Sequence, residues 1–262
     1  MRDPVGLPDH EPTVETCRAD PGDVWRHRSN VLSCECADRV FLLSLDTGRY
    51  HALEEPAGTI WHLLQAGRTA GEIVDGLSQR FPLVPRHTID ADVRRLIADL
   101  RQRNLIEPRT YQEVEHGGPR DEMLRAVRAP RPGPPSTLSC IARLAVVHVL
   151  LSTSGLRATL RMIGRRAARA PKVSSSAFVD LLAHRVASAG VYYPFGAACL
   201  EHSLCLLWVA RRCGIDVALR LGVQAFPFSA HAWVEYRERV VNDTPEQIAL
   251  FTPFQAIRPA EL

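Results

Sequence analysis

One stretch limits how this chain can fold. Residues 108 to 137 read "PRTYQEVEHGGPRDEMLRAVRAPRPGPPST", with Gly117-Gly118 and four prolines between Pro130 and Pro135. Proline removes a backbone donor and fixes its own φ, so neither a helix nor a sheet strand runs through such a segment. It reads as a linker between two apolar blocks, residues 29–107 and 138–262, each expected to be a domain. Residues 1–28 are rich in Pro, Asp and Arg without periodicity and read as a flexible tail. At 46% hydrophobic and 23% charged, the chain has enough apolar surface for both cores.

The first block opens with three strand-like runs, "NVLSCEC", "RVFLLSL" and "GRYHAL", separated by Ala37-Asp38 and by "DTG" at 46–48. They predict an antiparallel meander. Leu32, Cys34 and Cys36 alternate onto one face, and without a nearby Cys/His cluster they read as half-buried thiols rather than metal ligands. Three helical segments follow. "EEPAGTIWHLLQAG" ends at Gly67, "TAGEIVDGLSQRF" opens with a Thr69/Glu72 capping box, and residues 88–107 place Ile89, Val93, Leu96, Ile97 and Leu100 at helical spacing. Three strands and then three helices make a small winged-helix-like α+β domain. Arginines 94, 95, 101 and 103 on the third helix suggest DNA binding, but Asp90, Asp92 and Asp99 dilute them.

The second block predicts helices near 138–152, 157–169 and 175–189, then "CLEHSLCLLWVARRCG", a helix stopped by Gly214. Gly196, Ala197 and Ala198 precede it and allow a close approach. Cys199 falls in its first turn, where free N–H groups and the helix dipole favour a thiolate. Cys205 and Cys213 lie beyond that influence. Strands "DVALRLGV", "HAWVEY" and "RVVND" follow. His231, Trp233 and Glu235 share a face of "HAWVEY", and Arg239, Val241 and Asp243 share a face of "RVVND". An odd-numbered loop, which a Glu235–Arg239 charge match favours, sets His231 opposite Asp243. A plain two-residue turn sets Asp243 opposite Ala232 and breaks the pair unless a bulge intervenes. With the pair made, Cys199, His231 and Asp243 are a candidate nucleophile, base and orienting group. His202, at i+3 on the cysteine's helix, is a rival base. His148 and His184 have no visible partners and read as structural. Tyr192, Tyr193 and Trp233 are candidates for an oxyanion donor or for substrate positioning.

The remaining features exclude more than they assign. The net charge of +3 does not argue for nucleic acid. Eleven Arg and Lys against two acids between Pro119 and Lys172 make a basic stretch that reads as a solvated helical surface. Seven irregularly spaced cysteines and the absence of a secretory signal fit a reducing cytoplasm. The run "CIARLAVVHVLL" is too short to span a bilayer, and residues 138–170 suit at most a weak peripheral membrane contact. No metal and no cofactor are expected in this chain.

Two resemblances sharpen this reading. "DTGRYHALEEPAGTIWHLLQAGRTAGEIVDGLSQRF" resembles the PqqD family, the leader-recognition elements of ribosomally made, modified peptides. The likeness implies that a leader segment adds a strand beside Tyr50, His51 and Leu53 and lays apolar side chains against Val93, Leu96 and Leu100. Residues 191–243 resemble the lasso peptide biosynthesis B proteins, transglutaminase-like relatives of papain-type cysteine peptidases. The matching residues are Cys199-Leu200, Ser203-Leu204, Leu207-Trp208, Arg211-Arg212, Gly214-Ile215, Leu219, Gly222-Val223, Phe228, Ala230 to Glu235 and Asn242-Asp243. That family usually carries arginine where this chain has His202. The resemblance implies a cysteine leader peptidase that frees the core amine of a lasso precursor. A separate asparagine-synthetase-like cyclase would then close the ring with ATP. A transamidase using the same thioester, a non-catalytic leader-delivery scaffold and a winged-helix regulator are the alternatives.

Overall fold

The computed structural model describes residues 24–109, 134–165 and 175–258. Most of the expected tail and linker, Cys17, and much of the basic stretch lie outside the described residues. The described chain is mixed α and β, and it divides into two compact units. One holds residues 24–26 and 60–109, the other 27–59 with everything described from 134 onward. The sequence boundary at 29–107 divides the chain differently, because it keeps the meander with the helices.

In the first unit, β1 (Trp25–His27) pairs with β5 (Ile106–Pro108), a two-stranded sheet that periodicity did not reveal. Helix α1 (Ala57–Gln65) starts directly after Pro56, and α2 (Ala70–Arg80) carries the expected capping box. Thr69 Oγ1 accepts from the Glu72 N–H, and the Glu72 carboxylate accepts from the Thr69 N–H at 2.9 Å. That bond holds Glu72 below the usual carboxylate range. Helix α3 (Arg86–Gln102) buries Ile89, Val93, Ile97 and Leu100, the stripe its spacing predicts. It stops short of residue 107, since Asn104 turns to φ 56° and the chain then enters β5.

The second unit opens with the meander: β2 (Val31–Cys36), β3 (Arg39–Ser44) and β4 (Tyr50–Leu53), in the order β2-β3-β4. Ala37 and Asp38 both have positive φ and make the tight β2–β3 turn. Strand β3 is buried on both faces, as its unbroken apolar run allows. Phe41, Leu43 and Leu45 face a core built from α4 (Thr137–Arg165), α5 (Ser176–Val191), α6 (Cys199–Arg212) and a second sheet. That sheet has the order β8-β7-β6-β9, from β6 (Ala218–Gln224), β7 (Ser229–Tyr236), β8 (Arg239–Val240) and β9 (Thr252–Pro253). A single turn, α7 (Pro245–Ile248), separates β8 from β9.

Helix α4 merges the two helices expected at 138–152 and 157–169, and it breaks at Gly155, where φ is 77° and ψ 179°. The break receives the β3–β4 turn: the Arg157 N–H donates to the Leu45 carbonyl at 3.0 Å, and the Arg157 guanidinium meets Asp46 at 3.2 Å. Taken across that break, residues Thr137–Gly164 are by length and composition apolar enough to cross a membrane, with only 17% of the most apolar window buried. The apolar run read from sequence is thus longer as a helix than its uninterrupted core suggests.

Candidate active site

Helix α6 begins at Cys199 because Gly196, with φ 65°, turns the chain sharply and Ala198 is extended. Ala198 has no side-chain acceptor, so half of a capping box forms: the Glu201 carboxylate accepts the Ala198 N–H at 2.8 Å. Its other oxygen meets His148 Nδ1 at 2.7 Å. His148, read as unpartnered, therefore braces the start of the helix that carries Cys199, with its ring against Phe195 (6.1 Å) and Tyr193 (6.3 Å). Cys199 is half-buried and faces a cavity of about 550 Å³.

His231, Asn242, Asp243 and His202 line the same cavity. His231 Nε2 is hydrogen-bonded to Asp243 Oδ2, and the two side chains are 17% and 18% exposed. The His231 ring stacks on Phe251 at 5.1 Å and on Trp233 at 6.2 Å, which restricts its tilt. A carboxylate acceptor at Nε2 puts the proton there and leaves Nδ1 as the free base.

The register differs from the odd loop that the charge match favours. Strand β7 turns into β8 through two residues, Arg237 and Glu238, both at positive φ, and Glu235 pairs with Val240. Glu235 binds Arg220 at 2.8 Å and Trp233 Nε1 at 3.0 Å, while Arg239 reaches Asp180 at 2.7 Å. The His231–Asp243 pair is made nonetheless, because the strand expected through residue 243 ends at Val240. The Val241 N–H still donates to the Val234 carbonyl at 2.9 Å. One residue on, the Asn242 side chain takes over the ladder: its Oδ1 accepts the Val234 N–H at 2.7 Å, and its Nδ2 donates to Ser203 Oγ at 3.0 Å. Ser203 Oγ, fully buried, donates in turn to the Ala232 carbonyl at 2.9 Å. The backbone leaves the sheet there, and Asp243 swings to His231. Sequence reasoning gave Asn242 and Ser203 no role; a polar Asn at the expected end of a strand was the available signal.

His202, the rival base, packs its ring against Gly190 of α5, and its Nε2 is buried without a hydrogen-bond partner. That burial lowers its pKa, against the pull of Glu201. His184, read as structural, is exposed on the cavity rim. Burial pushes the thiols of Cys34 and Cys205 up to about 12 and raises Cys140 and Cys213, so these remain neutral thiols at ordinary pH. Among the oxyanion candidates, Tyr192 is exposed, Tyr193 is buried against His148, and Trp233 is buried behind His231; none lines the cavity. Of the candidate leader-binding residues, Val93, Leu100 and Leu53 are buried, whereas Tyr50, His51 and Leu96 keep exposed surface. Among the described residues no group of three or more His, Cys, Asp or Glu side chains could hold a metal ion.

Residues 39–106 match the family described as coenzyme PQQ synthesis protein D (PqqD), and residues 161–256 match the transglutaminase-like superfamily. A 51-residue segment is 39% identical to the microcin J25-processing protein McjB of Escherichia coli, covering 20% of this chain and 24% of that protein. The chain thus spans about a quarter of the length of that relative. The solved structure of TbiB1 in complex with the TbiA(beta) leader peptide is 33% identical, over 32% of this chain and 98% of that one, with a TM-score of 0.30. This chain joins a PqqD region to a transglutaminase-like domain, the pairing that its resemblance to the lasso peptide biosynthesis B proteins implies.

Proposed function

We propose that this chain is a cysteine peptidase that binds the leader of a lasso-peptide precursor and cuts the leader–core junction. The observation that carries the reading is the His231–Asp243 hydrogen bond on the wall of a cavity that Cys199 also lines. His231 Nδ1 takes the Cys199 proton as the sulfur attacks the scissile carbonyl. The imidazolium, held by Asp243, then protonates the leaving amine, which is the N-terminus of the core. Water adds to the thioester and returns the thiol. The PqqD region supplies the leader site, and the similarity to a processing protein over 51 residues supports a peptide substrate. The freed amine is the group that a separate ATP-using cyclase would join to a side-chain carboxyl.

Cys199→Ala tests the assignment. Mixed with a lasso-type precursor peptide that the wild-type chain cuts, it is expected to lose cleavage by at least about a thousandfold while leader affinity stays within a factor of two. Product masses also separate hydrolysis, which leaves two fragments, from transfer to an amine. Cleavage by Cys199→Ala at the native rate would falsify the reading.

A further inference from the structure

Trp233 is 2% exposed, yet neither it nor Phe251 belongs to the cluster that packs the inner face of the second sheet. On β6 that inner face takes Leu219, Leu221 and Val223, so Ala218, Arg220 and Gly222 alternate outward. The register sets Arg220 opposite Trp233 and Gly222 opposite His231, and on its other side Gly222 pairs with Pro253. His231 therefore stands on a face with a small packing arrangement of its own.

Gly222 is the floor of that arrangement. A Cβ there would stand 2.8 Å from Trp233 Cη2 and 3.0 Å from Phe251 Cβ, so only a hydrogen lets the two side chains close over the strand. The His231 ring stacks with both, 24° from the plane of the indole and 28° from that of the Phe251 ring. A polar tether fixes the indole in turn. Trp233 Nε1 donates to Glu235 Oε1 at 3.0 Å, and Arg220 Nε donates to Glu235 Oε2 at 2.8 Å. Arg220 Nη1 donates to the Phe254 carbonyl at 3.3 Å, which joins the tether to the segment that carries Phe251. Both carboxylate oxygens are used, and the Glu235 side chain is 17% exposed, so this is not a solvated surface pair.

A hydrogen bond at Nε2 alone leaves an imidazole free to swing about it and carry Nδ1 off line. General-base work depends on that line before anything else. We propose that Glu235 and Arg220 are positioning residues for His231: acting through Trp233, they hold the imidazole in the plane that gives Nε2 to Asp243 and leaves Nδ1 for the thiol. This deepens the peptidase reading and rests on it. Neither residue lines the Cys199 cavity, so their loss falls on kcat and leaves KM nearly unchanged.

The test reads Cys199 in the full chain and needs no peptide. Iodoacetamide alkylation at neutral pH, followed by mass spectrometry of the Cys199 fragment, reports how readily the thiol gives up its proton. His231→Ala gives the rate without the base. Glu235→Ala is expected to react at least about fivefold more slowly than the native chain, and Glu235→Gln, which keeps an acceptor for the indole N–H, to recover most of the loss. Gly222→Ala lifts the rings without removing a polar group and is expected to slow the reaction as well. Once Trp233→Phe has removed the indole N–H, adding Glu235→Ala is expected to change nothing further. The fully buried Cys140 and Cys205 report unfolding, and a merely structural role would speed their labelling and make the two losses add. A native rate in Glu235→Ala beside a slow His231→Ala overturns the proposal alone. Equal rates in the native chain and His231→Ala overturn the peptidase reading and the proposal with it. On a precursor that the native chain cuts, Glu235→Ala is expected to lose at least about tenfold in kcat with KM within a factor of two. A raised KM with native kcat also overturns the proposal.

Discussion

At the scale of single residues, the candidate base depends on a side chain that is not part of it. With a two-residue turn, pleat alternation turns Asp243 away from His231, and Asn242 reverses this by taking the Val234 N–H that the next backbone carbonyl would have received. Asn242→Ala leaves that N–H and the Ser203 hydroxyl short of a partner, at a cost of about 1–3 kcal/mol. It also frees the strand to continue in register, which carries Asp243 off the imidazole. Cleavage measured well below the melting temperature is expected to fall at least tenfold in kcat with KM little changed; wild-type kcat would mean that Asp243 is held without the clamp. Asn242→Asp keeps the Val234 bond, loses the donor to Ser203, and is expected to fall between the two. His202 gives a prediction in pH. Burial depresses its folded pKa below the ordinary imidazole value of 6.5, so below that pH the unfolded chain takes up a proton that the folded chain refuses. Its contribution to stability is present above about 6.5 and is lost as the pH falls through the folded pKa. The urea midpoint is expected to drop more between pH 7 and 5.5 in the native chain than in His202→Gln, and equal drops would remove His202 from the acid response.

At the scale of elements, the break in α4 is the joint that seats the β3–β4 turn. A Cβ on Gly155 would stand 2.7 Å from the Asp46 carbonyl oxygen, in a backbone conformation with φ 77° that L residues rarely adopt. Gly155→Ala is expected to destabilise the chain by roughly 2–3 kcal/mol, read from the chemical-denaturation midpoint. A neutral result would mean that the helix straightens and the turn detaches without penalty. This joint also marks how far pattern reading reaches. The capping box of α2, the buried stripe of α3 and the meander were legible because each depends on neighbours within one or two turns of chain. The Gly155 break, the β1–β5 pair and the Asn242 substitution were not, since each is fixed by a backbone group distant in sequence. That Cys199 and His231 would meet at one cavity was legible for a further reason: a thiol at a helix start and an imidazole on a strand are both unusual choices for packing alone. The unbroken apolar run of β3 implied burial on both faces, but alternation cannot say which part of the chain covers each face.

At the scale of the whole molecule, the meander's allegiance bears on how the two halves depend on each other. Phe41, Leu43 and Leu45 belong to the same buried cluster as Leu204, Val223 and Phe254, so the transglutaminase-like region is completed by strands from residues 31–53. Burying each such side chain stabilises by about 1.5–3 kcal/mol, so losing three removes on the order of 5–9 kcal/mol. That is comparable to the full stability of an ordinary domain, about 5–15 kcal/mol. A fragment of residues 134–258 alone is therefore expected to unfold at a much lower urea concentration than the intact chain and to bind a dye specific for exposed apolar surface. Adding residues 24–109 as a separate fragment should restore the midpoint in a concentration-dependent way, because association replaces a covalent tether. The contrary result is a 134–258 fragment that melts cooperatively at the intact chain's midpoint with no dye signal. The cluster would then tolerate loss of the meander. Restoration in trans would show that the meander is held to this cluster by packing rather than by the covalent connection alone.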